Sequence, residues 1–221
     1  MASEKRVGVV LSGCGFLDGA EIQEAVCTLL SLDRRKARVL AFAPDAAQMH
    51  VVDHRRGEPA PGESRGVLAE SARIVRGEIA PLGAARAADL DALVFPGGYG
   101  AAKNLCSYAV DGPRLRVIPE VERIVREVRA AGKPMGFICI APVIAARILG
   151  PEGVRLTIGN DAATAKDVEA LGARHVACKV DEICVDERLE VVSTPAYMLG
   201  PSVFPVSQGI DKLVSALLEM A

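Results

Sequence analysis

The stretch Lys133–Gly150, KPMGFICIAPVIAARILG, decides how the chain is read. Met135–Ile138 is a short apolar run, which suits a strand buried on both faces. Two residues past Cys139, Ala141-Pro142 opens a helix, with proline at a favoured first position. Val143, Ile144 and Ile148 supply that helix with a buried side. A cysteine between such a strand and such a helix lies near free backbone N–H groups and the positive end of the helix dipole. Both favour thiolate over thiol, the form a nucleophile requires. Gly136 and Ala141 are the small residues that a sharp strand-to-helix turn needs, as in a nucleophile elbow. A packed core thiol is the competing reading, and this stretch alone leaves both open.

Outward from the elbow, strands and helices alternate. Lys5–Leu11, Ala37–Ala43, Asp91–Phe95 and Pro134–Ile138 read as strands. Gly19–Leu32, Ser64–Val75, Pro119–Ala131, Asp161–Leu171 and Ser207–Met220 read as helices. Arg155–Ile158 reads as a further strand and Cys184–Ser193 as a hairpin. This order predicts an open, mostly parallel α/β sheet with helices on both faces, a three-layer sandwich in one domain over residues 1–221. In such sheets ligands bind at the carboxyl ends of the strands. Three loops therefore matter: Ser12–Asp18, Pro96–Asn104 and Cys139–Pro142.

In FPGGYGAAKNL, the N–H groups of Gly97, Gly98 and Gly100 can face a developing oxyanion; an ordinary Pro-Gly turn is the alternative. SGCGFLDGAEIQE carries Gly13, Gly15 and Gly19, which resemble a dinucleotide fingerprint with one extra residue. Asp18 and Glu21 argue against it. They match a helix cap, with Asp18 as N-cap and Glu21 three residues on, and would stand where pyrophosphate must bind. On the following helix, Ile22, Ala25, Val26, Leu29 and Leu30 form one apolar stripe. Periodicity places Glu24 opposite it, facing solvent or a partner surface.

The chain has 221 residues, 50% of them hydrophobic, and a formal net charge of −2. Its basic residues are scattered, which excludes a nucleic-acid footprint. No apolar run reaches membrane-spanning length, and the first residues match neither a signal nor a transit peptide; the expectation is a cytoplasmic protein. The six cysteines form no C-x-x-C pair and have no histidine at metal-ligand spacing, so neither a disulfide framework nor a metal site is expected.

Together SGCGFLDGAEIQEAV, FPGGYGAAKNL, GKPMGFICIAPV and STPAYM resemble the ElbB branch of the PfpI superfamily, also described as class I glutamine amidotransferase-like and related to the parkinsonism-associated deglycase. The resemblance runs from the first strand to the terminal helix. It implies a flavodoxin-like fold, Cys139 as nucleophile and a first-helix glutamate against the thiol. DGAEIQE maps that glutamate to Glu24, with Glu21 in the same region, and so overrides the solvent reading. It also implies a two-fold homodimer, and the family's name is associated with isoprenoid biosynthesis. Protease members carry His directly after the cysteine, where this chain has Ile140. Amidotransferases use a later His, which TIGNDAATAK and STPAYM lack. The resemblance therefore implies neither proteolysis nor glutamine hydrolysis. It implies a cofactor-free glyoxalase converting a small dicarbonyl, glyoxal, to glycolate through a Cys139 hemithioacetal, with Gly97, Gly98, Gly100, Ile140, Cys14 and Glu21 around the pocket. A non-catalytic redox sensor using the same thiol is the alternative.

Overall fold

The computed structural model describes residues 4–221. Seven strands form the central sheet: β1 (Arg6–Val10), β2 (Arg38–Ala43), β3 (Ala80–Pro81), β4 (Ala92–Phe95), β5 (Met135–Ile138), β6 (Cys184–Asp186) and β7 (Val191–Thr194). Their spatial order is β6-β7-β5-β4-β1-β2-β3. Every pairing is parallel except β6 with β7, the expected hairpin, in which Cys184 faces Ser193. The fold is α/β and flavodoxin-like. Residues of β4 and β5 are buried on both faces, as their unbroken apolar runs require. Phe95 and Phe137 stack at their carboxyl ends, with ring centroids 5.0 Å apart.

Among the described residues, eight α-helices accompany the sheet: α1 (Ile22–Arg34), α2 (Val67–Ile74), α3 (Tyr99–Lys103), α4 (Tyr108–Asp111), α5 (Pro119–Ala130), α6 (Pro142–Leu149), α7 (Ala162–Ala170) and α8 (Val203–Met220). The edge strand β3 and the short α4 carry no periodic signal. Arg155–Leu156 is a strand, but it pairs with Arg174–His175 outside the main sheet.

Two expectations about α1 fail. Glu21, not Asp18, is its N-cap, accepting the Glu24 N–H at 2.6 Å. The Asp18 carboxylate instead accepts the Val52 N–H at 2.8 Å, which ties the first loop to the polar connection. The helix is also rotated against its periodicity. Ile22, Val26 and Leu30 are 44%, 46% and 57% exposed, whereas Glu24, Ala25, Thr28, Ser31 and Leu32 are buried. A polar, small-residue face packs inward because α8 supplies partners for it. Ser31 Oγ donates to Asp211 Oδ1 at 2.6 Å, and the Arg35 guanidinium holds the same carboxylate.

This rotation has a direct test. In urea melts at high dilution, Leu32→Ala should cost ~2–5 kcal/mol, while Leu30→Ala should change stability by no more than about 0.5 kcal/mol. The reverse ranking would restore the periodicity reading.

Candidate active site

Cys139 follows β5 directly. Its φ is 63°, a left-handed conformation that a non-glycine residue adopts at a cost. The backbone around it is fixed: Cys139 N–H donates to Thr194 O at 2.9 Å, and Ala141 N–H to Ile138 O at 3.0 Å. The side chain is 7% exposed and opens on a cavity of about 720 Å³ at the carboxyl ends of the strands.

Glu24 is completely buried beside it. Its Oε2 accepts the Gly97 N–H at 3.0 Å, and its Oε1 accepts the Tyr197 N–H at 3.1 Å. The solvent reading of Glu24 is thus corrected. A carboxyl group in this position finds two N–H partners that a methylene would leave unpaired. Gly97 is required by space alone, because a Cβ there would stand 2.4 Å from the Cys139 Cβ and 2.6 Å from Glu24 Oε2. Gly98 has φ 91°, and its Cβ would meet the Glu21 nitrogen at 2.3 Å. Three loops therefore meet backbone to backbone, and the carboxyl and the thiol share the space between them.

The expected oxyanion donors divide. Gly97 N–H is taken by Glu24, and Gly100 N–H by Gly19 O at 2.8 Å. Gly98 N–H and Ile140 N–H are directed at the Cys139 sulfur. Ile140 and Glu21 line the cavity. Cys14 does not. It is half-buried, with Arg73 and Glu70 of α2 among its charged neighbours, and the adjacent Gly13 N–H donates to Ser71 Oγ. Cys14 belongs to the contact with α2 rather than to the pocket.

Burial pushes the Cys139 thiol well up, and the Glu24 charge pushes the same way; the Gly98 and Ile140 N–H groups pull it down. The expectation that the elbow alone would leave a low-pKa thiol is not met, because desolvation of the sulfur outweighs the two N–H groups. Glu24 is pushed up to about 8, chiefly by burial, against the hydrogen bonds from Tyr197, Cys139 and Gly97. At neutral pH the resting pair is therefore thiol and carboxylic acid. Loss of one proton gives a coupled state in which the remaining proton is shared between sulfur and carboxyl. With that proton on Glu24, the repulsion that raises the thiol is gone and the two N–H groups face a thiolate.

Sequence reasoning missed Tyr197, whose contribution is a backbone N–H and leaves no side-chain signal. It also missed the far walls of the cavity, Phe16, Tyr99, Tyr108, Asp161, Thr164 and Met198. None of the three histidines lines it. His54 packs edge-on against Phe16, with centroids 5.5 Å apart.

No protein-family model matches the chain. A human relative, "Glutamine amidotransferase-like class 1 domain-containing protein 3, mitochondrial", is 49% identical over 224 aligned positions, covering 97% of this chain and 83% of that protein. The chain belongs to the glutamine amidotransferase-like class 1 family. Among solved structures, an isoprenoid biosynthesis protein with amidotransferase-like domain from Ehrlichia chaffeensis is 38% identical, with a TM-score of 0.91 over 98% of this chain and 99% of that one. A cysteine-to-alanine variant of a DJ-1 superfamily protein from Salmonella typhimurium is 26% identical, with a TM-score of 0.55 over 97% of this chain and 91% of that one. Among the described residues, no helix is long and apolar enough to cross a membrane.

The buried carboxyl predicts a pH signature. Folded Glu24 holds its proton to about pH 8, whereas the unfolded chain releases it near the ordinary value of 4.5. Between these values the folded state binds more protons, so the residue's contribution to stability falls as pH rises. Glu24→Gln removes that dependence. The amide offers one acceptor to two N–H groups, a penalty that is independent of pH. The stability of Glu24→Gln relative to wild type, read from urea melts, should therefore climb by on the order of a few kcal/mol from about pH 5 to about pH 8. A flat difference would mean that Glu24 ionises as an ordinary carboxyl.

Proposed function

We propose that the chain is a cofactor-independent glyoxalase of the ElbB type. The observation that carries this reading is the juxtaposition of the Cys139 thiol with a buried carboxyl whose pKa is pushed up to about 8. A group that holds a proton near neutral pH, and can also release it, is what proton transfer between adjacent carbons needs. The reactive form is the pair that has lost one proton. Cys139 thiolate attacks the aldehyde carbon of glyoxal, the carbonyl electron pair moves to oxygen, and Glu24 protonates that oxygen to give a hemithioacetal. The Glu24 carboxylate then removes the C–H proton of the same carbon and delivers it to the neighbouring carbonyl carbon, while the hemithioacetal O–H proton passes to the oxygen of that neighbouring carbon. The product is a hydroxyacetyl thioester. Water cleaves it, releasing glycolate and restoring the thiol. Glyoxal and water are the only reactants consumed.

Purified protein should form glycolate from glyoxal without glutathione or metal, and kcat/KM should rise with pH to an apparent pKa near 8. Cys139→Ser should abolish turnover. Glu24→Gln should lower it strongly while the hemithioacetal still forms, as intact mass will read. Glycolate must be measured directly, because glyoxal also adds to Lys and Arg. Equal, slow glycolate formation by wild type and Cys139→Ser would replace the enzyme with the redox-sensor reading.

We further propose a homodimer that buries the exposed α1 stripe. Ile22, Val26 and Leu30 recur at one-turn spacing, and Leu30 shares a groove with Phe204, which is 70% exposed. Glu21 and Gln23 on the same end of the helix line the cavity, so the partner would border the site. Sedimentation should give a dimer that Leu30→Lys dissociates; a wild-type monomer at micromolar concentration would contradict it. The cytoplasmic placement likewise stands as a proposal. It is set against relatives named mitochondrial, and cell fractionation decides it.

A further inference from the structure

The cavity above Cys139 is much larger than a two-carbon dialdehyde. Its volume of about 720 Å³ lies in the range of sites for drug-sized ligands. Its walls are unusual for this chain, which has no Trp and only three tyrosines among 221 residues. All three, Tyr99, Tyr108 and Tyr197, line this cavity, together with Phe16. Tyr108 and Tyr197 pack partly against the core, whereas Tyr99 and Phe16 do not fill it, being 51% and 47% exposed. Aromatic side chains clustered at a partly open cavity offer flat apolar faces with a polar edge. Two of the phenols are held in place. Tyr108 donates to Asp167 Oδ2 at 2.8 Å, and the Tyr197 hydroxyl donates to Gln23 Oε1.

Charge narrows the ligand further. Among the described residues, the only charge-bearing side chains lining the cavity besides the Cys139 thiol are Glu21 and Asp161, both acidic. Each caps a helix, Glu21 on the Glu24 N–H and Asp161 on the Thr164 N–H at 2.8 Å, so neither carboxylate is neutralised by a cation. No Lys, Arg or His stands in the wall. Lys103 is close by, but its Nζ donates to Leu17 O at 2.7 Å and lies 5.4 Å from the centre of the Tyr99 ring. A carboxylate or phosphate on the ligand would meet like charge and no donor fork.

We propose that this site is shaped for an α-oxoaldehyde carried on an uncharged aromatic or apolar body, and that it discriminates against both glyoxal and anionic carbonyl compounds. The proposal rests on the glyoxalase reading for its chemistry. For an aryl α-oxoaldehyde, sulfur bonds to the aldehyde carbon to give a hemithioacetal, the hydrogen of that carbon passes as a proton to the ketone carbon, the hemithioacetal O–H proton passes to the ketone oxygen, and water cleaves the resulting thioester. The net change is aldehyde plus water to α-hydroxy acid, with no outside oxidant or reductant.

The test compares phenylglyoxal, 4-carboxyphenylglyoxal and glyoxal on the full chain. The hydroxy acids are measured directly, because phenylglyoxal also adds to arginine. The expected result is a kcat/KM for phenylglyoxal about tenfold or more above each of the others, and a phenylglyoxal-to-glyoxal ratio that falls in Tyr108→Ala. Ala109→Lys, which adds a cation to the wall, should narrow the gap between the neutral and the carboxylated substrates. Glyoxal turned over as well as phenylglyoxal, or 4-carboxyphenylglyoxal as well as its neutral parent, would overturn the proposal. If none of the three yields a hydroxy acid, the glyoxalase reading fails and binding decides the ligand class. Ligand-observed NMR on Cys139→Ser should then show saturation transfer to acetophenone, weakened by Tyr108→Ala, and none to benzoate. No transfer to acetophenone, or equal transfer to benzoate, would overturn it.

Discussion

The Glu24 carboxyl, held between Gly97 N–H and Tyr197 N–H, is the contact on which the site depends. It joins three separate parts of the chain: the first helix, the loop after β4 and the turn after β7. Each N–H donor belongs to a loop that closes the carboxyl ends of the strands, so one buried side chain fixes their mutual height. The same burial that makes the contact expensive makes it chemically useful. A carboxyl removed from water keeps its proton to about pH 8, next to a sulfur that is itself desolvated.

Glycine makes that closeness possible. The Gly97 Cα passes so near Cys139 and Glu24 that no side chain fits, and Gly98 lies against the backbone at Glu21. The cysteine turns through φ 63° because the elbow must deliver its sulfur into that gap and still launch α6. Parallel strands β4, β5 and β7 beneath, buried on both faces, supply the rigidity that holds a strained turn.

Much of the fold was legible in the sequence, and the reasons are physical. The runs Ala92–Phe95 and Met135–Ile138 are apolar without alternation, as strands covered on both faces must be. Pro119 and Gly132 bracket α5, whose Val121, Ile124, Val125 and Val128 are all buried as the spacing requires. The elbow could be read because a lone cysteine stood between a strand and a helix start. The orientation of α1 could not. Its Ile22, Val26 and Leu30 face outward, and its inward face carries Glu24, Thr28 and Ser31 beside Ala25 and Leu32, with partners distant in the chain, Tyr197 and Asp211 among them. Hydropathy reports what a helix would bury alone, not what a loop 173 residues away will satisfy. The roles of Gly97 and Gly100 were misjudged for a similar reason, because which acceptor a backbone N–H finds is set by tertiary contact.

Protonation of Glu24 at neutral pH is the central claim, since relief of the charge repulsion on the thiol, the proton shuttle and the pH dependence all follow from it. Carbon-13 NMR of protein labelled at the glutamate side-chain carboxyl measures it most directly. One resonance, absent from Glu24→Gln, should titrate near pH 8. If the resonance lost in Glu24→Gln titrates near the ordinary value of 4.5, the buried carboxyl is ionised at rest and the account of the site is wrong.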